Sequence, residues 1–392
     1  MSNKTIYKYF IKEPVLSRFL PGGPDRVVIE DPIFGTLKYH KKLINNNFDG
    51  SQHLCRLPFT YAEVRRNGDV NLCCPNWSPA IVGNIFETSI EQIWTGDRAW
   101  AVRNSILDGS YRYCNWDTCS LIRNNRLHPK TPDLSKELMR SARASTPCFL
   151  HFVVDYSCNL ACPSCRIRKI PQLSDDEKDQ GYRAITQTLD IMFAQTHKEH
   201  KILSMDGSGE IFSSELYRQL FETHPVFTQT DQWPNLRFRL TTNGTMMTAK
   251  IQRRYHHIMQ HLENLEVSVD AGNPESYARV RVGGHWNLLW DNLRNFHDNT
   301  LLAQPYSSWN WNIIIQKNNY ESLPELIDIA ETFTKQPTLL INEVLNWGTW
   351  SESDYLDHAV HLLQHPEHSK YREIINSSKV VKYIERQKSR HK

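Results

Sequence analysis

From residue 148 onward, β-rich apolar runs alternate with amphipathic stretches of helical period. CFLHFVVDY (148–156), KILSMD (201–206), LRFRLTT (236–242), LEVSVDA (265–271), WNWNIIIQ (309–316) and PTLLINEV (337–344) read as strands. Amphipathic helices follow, for example near 175–196, at SSELYRQLFETH, near 248–260 and at SLPELIDIAETF (322–333). Strands that alternate with helices predict βα units, a parallel sheet and an α/β fold. Right-handed crossovers curl such a sheet into a partial (β/α)6 barrel with ligands at the carboxyl ends of its strands. The polar punctuation falls at those ends. Cys158, Cys162 and Cys165 follow the first strand, Gly207-Ser208-Gly209-Glu210 the second and Asn243 the third, and Asp270 ends the fourth.

The first 147 residues are patterned differently. RVVIE and GTLKYH lie between Gly and Pro turns, and YAEVRRNGDVNLCC predicts a hairpin turning at Asn67-Gly68. A helix near 89–107 leads into the pair Cys114 and Cys119. The expected organisation is a small α+β module over 1–127, a polar connector over 128–147, the barrel over 148–350 and a helical tail over 351–392. No internal repeat or low-complexity segment interrupts it.

Charge and composition exclude more than they assign. The chain has 46 Lys plus Arg against 43 Asp plus Glu, a net +3 that gives no general case for nucleic acid. The basic ending KVVKYIERQKSRHK is accounted for by a solvated helix end. MSNKTIYKYFIKEP lacks the apolar core of a signal peptide and no later run reaches membrane-spanning length, so a cytoplasmic protein is expected. Eleven Trp residues suit a packed core better than a binding cleft.

Nine cysteines change the picture. They fall at Cys55, Cys73 and Cys74, at Cys114 and Cys119, and at Cys148, Cys158, Cys162 and Cys165. Where thiols stay reduced, clustered cysteines point to metal before disulfides. Cys158, Cys162 and Cys165 are spaced by three and then two residues, which lets one short loop wrap three corners of a cubane cluster and leaves the fourth iron open. A structural zinc with a remote fourth ligand is the alternative, although zinc loops more often pair two C-x2-C units. Cys148, early in the first strand, reads as an ordinary buried thiol.

The C-x3-C-x2-C loop after a strand resembles the defining motif of the radical S-adenosylmethionine (SAM) superfamily, and the resemblance extends over roughly 148–345. It implies a 4Fe–4S cluster whose open iron chelates SAM, and reductive cleavage of SAM to a 5′-deoxyadenosyl radical. On this reading Cys158, Cys162 and Cys165 are the catalytic cluster ligands. Gly207, Ser208, Gly209 and Glu210 look like the family's glycine–glycine–glutamate motif, with Glu210 accepting from the methionine ammonium. Asn243, Ser268 and Asp270 match positions that touch the ribose or the methionine tail. Arg281 pairs with the methionine carboxylate or with an acidic neighbour. Pro163 and Ser164 stand where the family often has an aromatic residue near the adenine.

The remaining set, Cys55, Cys73, Cys114 and Cys119, supplies four thiolates, enough for a second 4Fe–4S site or a tetrahedral zinc. NGDVNLCCPNW with VGNIFETSIEQIWTG resembles the SPASM and twitch auxiliary-cluster domains, nearer the twitch form and placed before the barrel, not after it. Cys73 is preferred to Cys74 because it completes the glycine-x4-cysteine pattern. Full ligation implies an electron conduit.

The implied function is hydrogen abstraction from a peptide or small metabolite, fed by a flavodoxin- or ferredoxin-like reductant. No leader-recognition segment is evident, which tilts the reading towards a small or untethered substrate. No membrane or nucleic-acid partner is expected. Two other classes compete: a non-catalytic two-cluster electron carrier, and a zinc-bearing binding protein with a nucleic-acid role for its basic tail.

Overall fold

Alternation along the chain becomes alternation of burial. In SWNWNIII, from Ser308 to Ile315, every second side chain is buried, and LRFRLTT repeats the pattern. The computed structural model describes residues 26–40, 48–116, 118–166, 168–194, 199–205, 209–304, 307–346 and 348–390. In chain order its strands are β1 (Arg26–Asp31), β2 (Gly35–His40), β3 (His53–Leu54), β4 (Tyr61–Arg65), β5 (Asp69–Asn71), β6 (Ile81–Asn84) and β7 (His128–Pro129). They continue as β8 (Phe149–Val153), β9 (Lys201–Met205), β10 (Leu236–Thr242), β11 (Leu262–Ser268), β12 (Ser308–Ile315) and β13 (Thr338–Glu343).

The α/β class and the parallel sheet expected from the alternation are present. β8 to β13 are neighbours in sequence order, each parallel to the next. The hairpin expected at Asn67-Gly68 is β4–β5, and Gly68 takes the left-handed conformation (φ +83°) that its turn requires.

The patterning does not reveal how the hairpin attaches. β4 pairs in parallel with β8, from Tyr61 beside Phe149 to Arg65 beside Val153. The hairpin and the six parallel strands therefore share one nine-stranded sheet in the order β13-β12-β11-β10-β9-β8-β4-β5-β6.

On one face of this sheet Ala62, Val64, Leu150, Phe152, Leu203 and Met205 join a core with Ala184, Ile185 and Leu189 of the helix Asp175–Phe193. That helix starts at a capping box between Ser174 and Glu177, and three acidic residues in its first turn complement its dipole. Trp309 and Trp311 are buried in the same core beside Trp290 and Phe333, the core use of tryptophan that composition suggested.

A second core under the N-terminal cysteines gathers Leu54, Phe59, Ile106, Tyr111, Ile122, Leu134 and Leu138 around Cys55 and Cys119. The segment read as a polar connector contributes to it. The helix Pro132–Ala142, capped by Thr131, buries Leu134, Leu138 and Ala142. Among the described residues no helix is long and apolar enough to cross a membrane.

Candidate functional site

The loop after β8 is shaped by backbone bonds. The amides of Cys165 and Arg166 both donate to the Cys162 carbonyl at 3.0 Å, and Ala161 N–H donates to Val282 O at 2.9 Å. Cys158 and Cys162 are buried, while Cys165 is exposed.

Each thiol has its own side-chain N–H donor. Asn243 Nδ2 lies 3.9 Å from Cys158 Sγ, Arg281 Nη1 3.8 Å from Cys162 Sγ, and Arg166 Nη2 3.2 Å from Cys165 Sγ. Burial pushes the Cys158 and Cys162 thiols above the ordinary range, and Arg166 and Arg281 respectively oppose that push. At Cys158 and Cys162 the two guanidinium groups thus work against the neutral thiol that burial favours.

Glu210 sits at the adjoining strand end, fully buried. Its carboxylate accepts from Thr242 Oγ1 (2.7 Å), Asn243 N (2.6 Å) and Phe212 N (3.3 Å). Burial raises it above the usual carboxylate range, against the pull of those donors. A carboxylate offers about four lone-pair sites, so three protein donors leave room for one more. Gly209 is where backbones meet. A Cβ there would lie 2.6 Å from the carbonyl oxygens of Asp155 and Ser157. Gly207 and Ser208 lie outside the described residues.

Asp270, beyond β11, holds a left-handed backbone (φ +61°), uncommon for a residue with a Cβ. Its Oδ1 accepts from Ile314 N at 2.8 Å, and its Oδ2 lies 2.7 Å from Arg281 Nε. Arg281 Nε has no well-aligned acceptor, so this contact is ionic more than a directed bond. Of the two partners weighed for Arg281, the structure supplies the acidic neighbour. Asn243, Asp270 and Arg281 thus converge on the loop, whereas Ser268 stays half-buried at the end of β11 without a bond to it. The sequence reading missed Arg166, Thr242 and Asn159, which accepts from Asn243 Nδ2 at 2.9 Å. An arginine directly after the third cysteine was the one available signal.

The N-terminal cysteines form a second assembly. Asn115 N donates to Trp77 O (2.6 Å) and Asn115 Nδ2 to Asn76 O (3.4 Å), tying the loop between Cys114 and Cys119 to the turn after Cys74. Burial pushes Cys55 up to about 12, with Cys119 adding to the effect. Burial, and then Cys55, Cys119, Cys114 and Cys74, also raise Cys73 well above its ordinary value. Cys74 instead feels Glu63 and Arg65 of β4. Cys73 therefore lies in the field of Cys55, Cys114, Cys119 and Cys74, and Cys74 also in that of the hairpin's Glu63 and Arg65. Among the described residues no three Cys, His, Asp or Glu side chains converge tightly enough for a single metal ion. Cys148, half-buried before β8, donates to Thr60 O at 3.5 Å.

Comparison with known proteins bears on these assemblies. Residues 55–120 match the SPASM family model, described as an iron–sulfur cluster-binding domain. That range contains Cys55, Cys73, Cys114 and Cys119, so the segment expected to resemble a SPASM or twitch module is the one the model matches. No curated protein matches the chain. Among solved structures, it is similar to native anSMEcpe with bound AdoMet, at 14% identity over 50% of this chain and 52% of that one, with a TM-score of 0.35. Native anSMEcpe with bound AdoMet and Kp18Cys peptide gives 14% identity over 49% of each chain and a TM-score of 0.30. BtrN in complex with AdoMet and 2-DOIA gives 13% identity over 61% of this chain and 85% of that one, with a TM-score of 0.26. The alignment spans about half of the first two of those chains.

Proposed function

We propose that this chain is a radical SAM enzyme that abstracts a hydrogen atom from a peptide or small metabolite. The observation that carries the reading is a convergence. The three-cysteine loop, Glu210, Asn243 and the Asp270–Arg281 pair come from the carboxyl ends of four adjacent parallel strands and touch one another.

The donor set fits a cluster with one open iron, held by Cys158, Cys162 and Cys165. With SAM, such a cluster supplies one-electron cleavage of a carbon–sulfur bond and a 5′-deoxyadenosyl radical. The chain's own part is to hold and shield. Arg166 and Arg281 balance thiolate charge, Glu210 offers its spare lone pair to an ammonium group, and burial of Cys158 and Cys162 keeps water from those two sulfurs. The six parallel strands form the partial barrel around this site, in our reading, over about 148–350. Cys55, Cys73, Cys114 and Cys119 hold the auxiliary cluster as an electron conduit, and a flavodoxin- or ferredoxin-like protein supplies electrons.

Anaerobic reduction of the iron-loaded protein with SAM tests the proposal. The expected products are 5′-deoxyadenosine and methionine. Replacement of Cys158, Cys162 and Cys165 by Ala should abolish both, whereas Cys55→Ala should spare cleavage and impair turnover. A fully loaded protein that forms neither product, with candidate substrates present, is a carrier and not this enzyme.

A further inference from the structure

A cleft of about 660 Å³ opens between the β4–β5 hairpin and the helix Asp175–Phe193. One wall is the hairpin with Pro75, the residue after Cys73 and Cys74, and the other includes Tyr156, which precedes Cys158. Because β4 is parallel to β8, with Arg65 beside Val153, this cleft and the three-cysteine loop lie at the same end of the sheet.

Part of the polar lining is already committed. Arg66 pairs with Glu177 at 2.9 Å, with its guanidinium 5.8 Å from the centre of the Tyr156 ring. Asp69 accepts from Asn67 Nδ2 at 2.6 Å and from Asn84 Nδ2 at 3.0 Å. Arg65 and Asn71 are among the groups left over. The Arg65 guanidinium has no carboxylate within ion-pair distance among the described residues. Asn71 is 1% exposed, and its Nδ2 donates to Ala80 O at 2.9 Å while its Oδ1 has no partner. A buried acceptor without a donor is uncommon in folded proteins and marks a place where a ligand's N–H fits. Phe86, Pro79 and the exposed Ile81 supply apolar surface beside them.

We infer that this cleft binds an α-carboxylate adjacent to an N–H group, carried on an apolar side chain. Arg65 pairs with the carboxylate and Asn71 Oδ1 accepts from the N–H, while Phe86 and Ile81 cover the side chain. Both a free amino acid and the C-terminal residue of a peptide present this chemistry. The proposed radical chemistry bears on what happens to that ligand, whereas its binding stands on the cleft alone.

The experiment titrates N-acetyl-phenylalanine, N-acetyl-phenylalaninamide and free phenylalanine into the iron-loaded full-length protein under anaerobic conditions, by calorimetry. The acid should bind at least tenfold tighter than its amide. Arg65→Gln should abolish that preference and Arg65→Lys should restore part of it, which separates lost charge from lost fold. Asn71→Asp should weaken the acid tenfold or more by placing a second carboxylate at the site. Tighter binding of free phenylalanine identifies an amino acid ligand, and tighter binding of the acetylated acid a peptide C-terminus. Equal affinity for acid and amide, absence of binding by all three probes, or an unchanged preference in Arg65→Gln overturns the proposal. SAM cleavage is scored separately by 5′-deoxyadenosine, so failure of the radical reading and failure of this site are distinguishable.

Discussion

Arg166 meets the cysteine loop twice. Its Nη2 lies on Cys165 Sγ and its Nη1 reaches Tyr156 O at 3.5 Å, so one side chain braces both ends of the loop. Burial would lower its pKa, but the thiols of Cys158 and Cys165 hold it above its usual value. A hydrogen bond to a charged sulfur is worth about 1.5–3 kcal/mol. Arg166→Met should therefore lower iron retention on dilution and shift the cluster's potential negative, read by iron assay and EPR-monitored redox titration. Unchanged iron and potential would sink that role. Glu210 offers the complementary test. Glu210→Ala strands Thr242 Oγ1, Asn243 N and Phe212 N, and should destabilise the protein by about 3 kcal/mol or more in urea unfolding. Glu210→Gln retains an acceptor and should unfold nearer the wild type while binding SAM less tightly.

At the scale of elements, strands cross or meet in ways that one residue can break. At Gly209 an added Cβ runs into two carbonyl oxygens, and neither can move without shifting the strand-end backbone that carries the cysteine loop. Gly209→Ala should cost about 1–3 kcal/mol, and a lower Tm with weakened SAM binding would show it. An unchanged Tm would mean that the backbone yields there. The six parallel strands were legible in the sequence because alternation and turn residues are local signals. The seam between β4 and β8 was not. Parallel pairing of strands so far apart in the chain leaves no mark in either strand's pattern, since both are simply apolar on one face. The site divides along the same line. Cysteine spacing announces a cluster loop, but the convergence of Asn243, Arg281 and Arg166 on three different sulfurs is set by register and a left-handed Asp270. Neither can be read before folding.

For the whole molecule, that seam joins β4 to β6, within the segment that matches the SPASM model, and the parallel strands in one sheet, so the stability of either supports both sites. The C-terminal segment packs against the far edge of this sheet, where Val344, Tyr355, Ala359 and Leu362 form a small core. His361 lies in this segment, 3% exposed, with Nδ1 unpartnered. Burial and then the neighbouring His368 and His365 lower its pKa from 6.5 to about 4. The sign follows from proton counts. Between those two values the unfolded chain binds a proton that the folded chain refuses, so stability rises with pH across the interval. His361 therefore leaves stability intact above about pH 6.5 and erodes it as pH falls towards 4, by about 3 kcal/mol at most. Urea unfolding at pH 7.5 and pH 5 should show part of this loss in the wild type. His361→Leu carries no titrating ring, so its loss over the same interval should be smaller. An equal loss in the two proteins would place the acid sensitivity elsewhere.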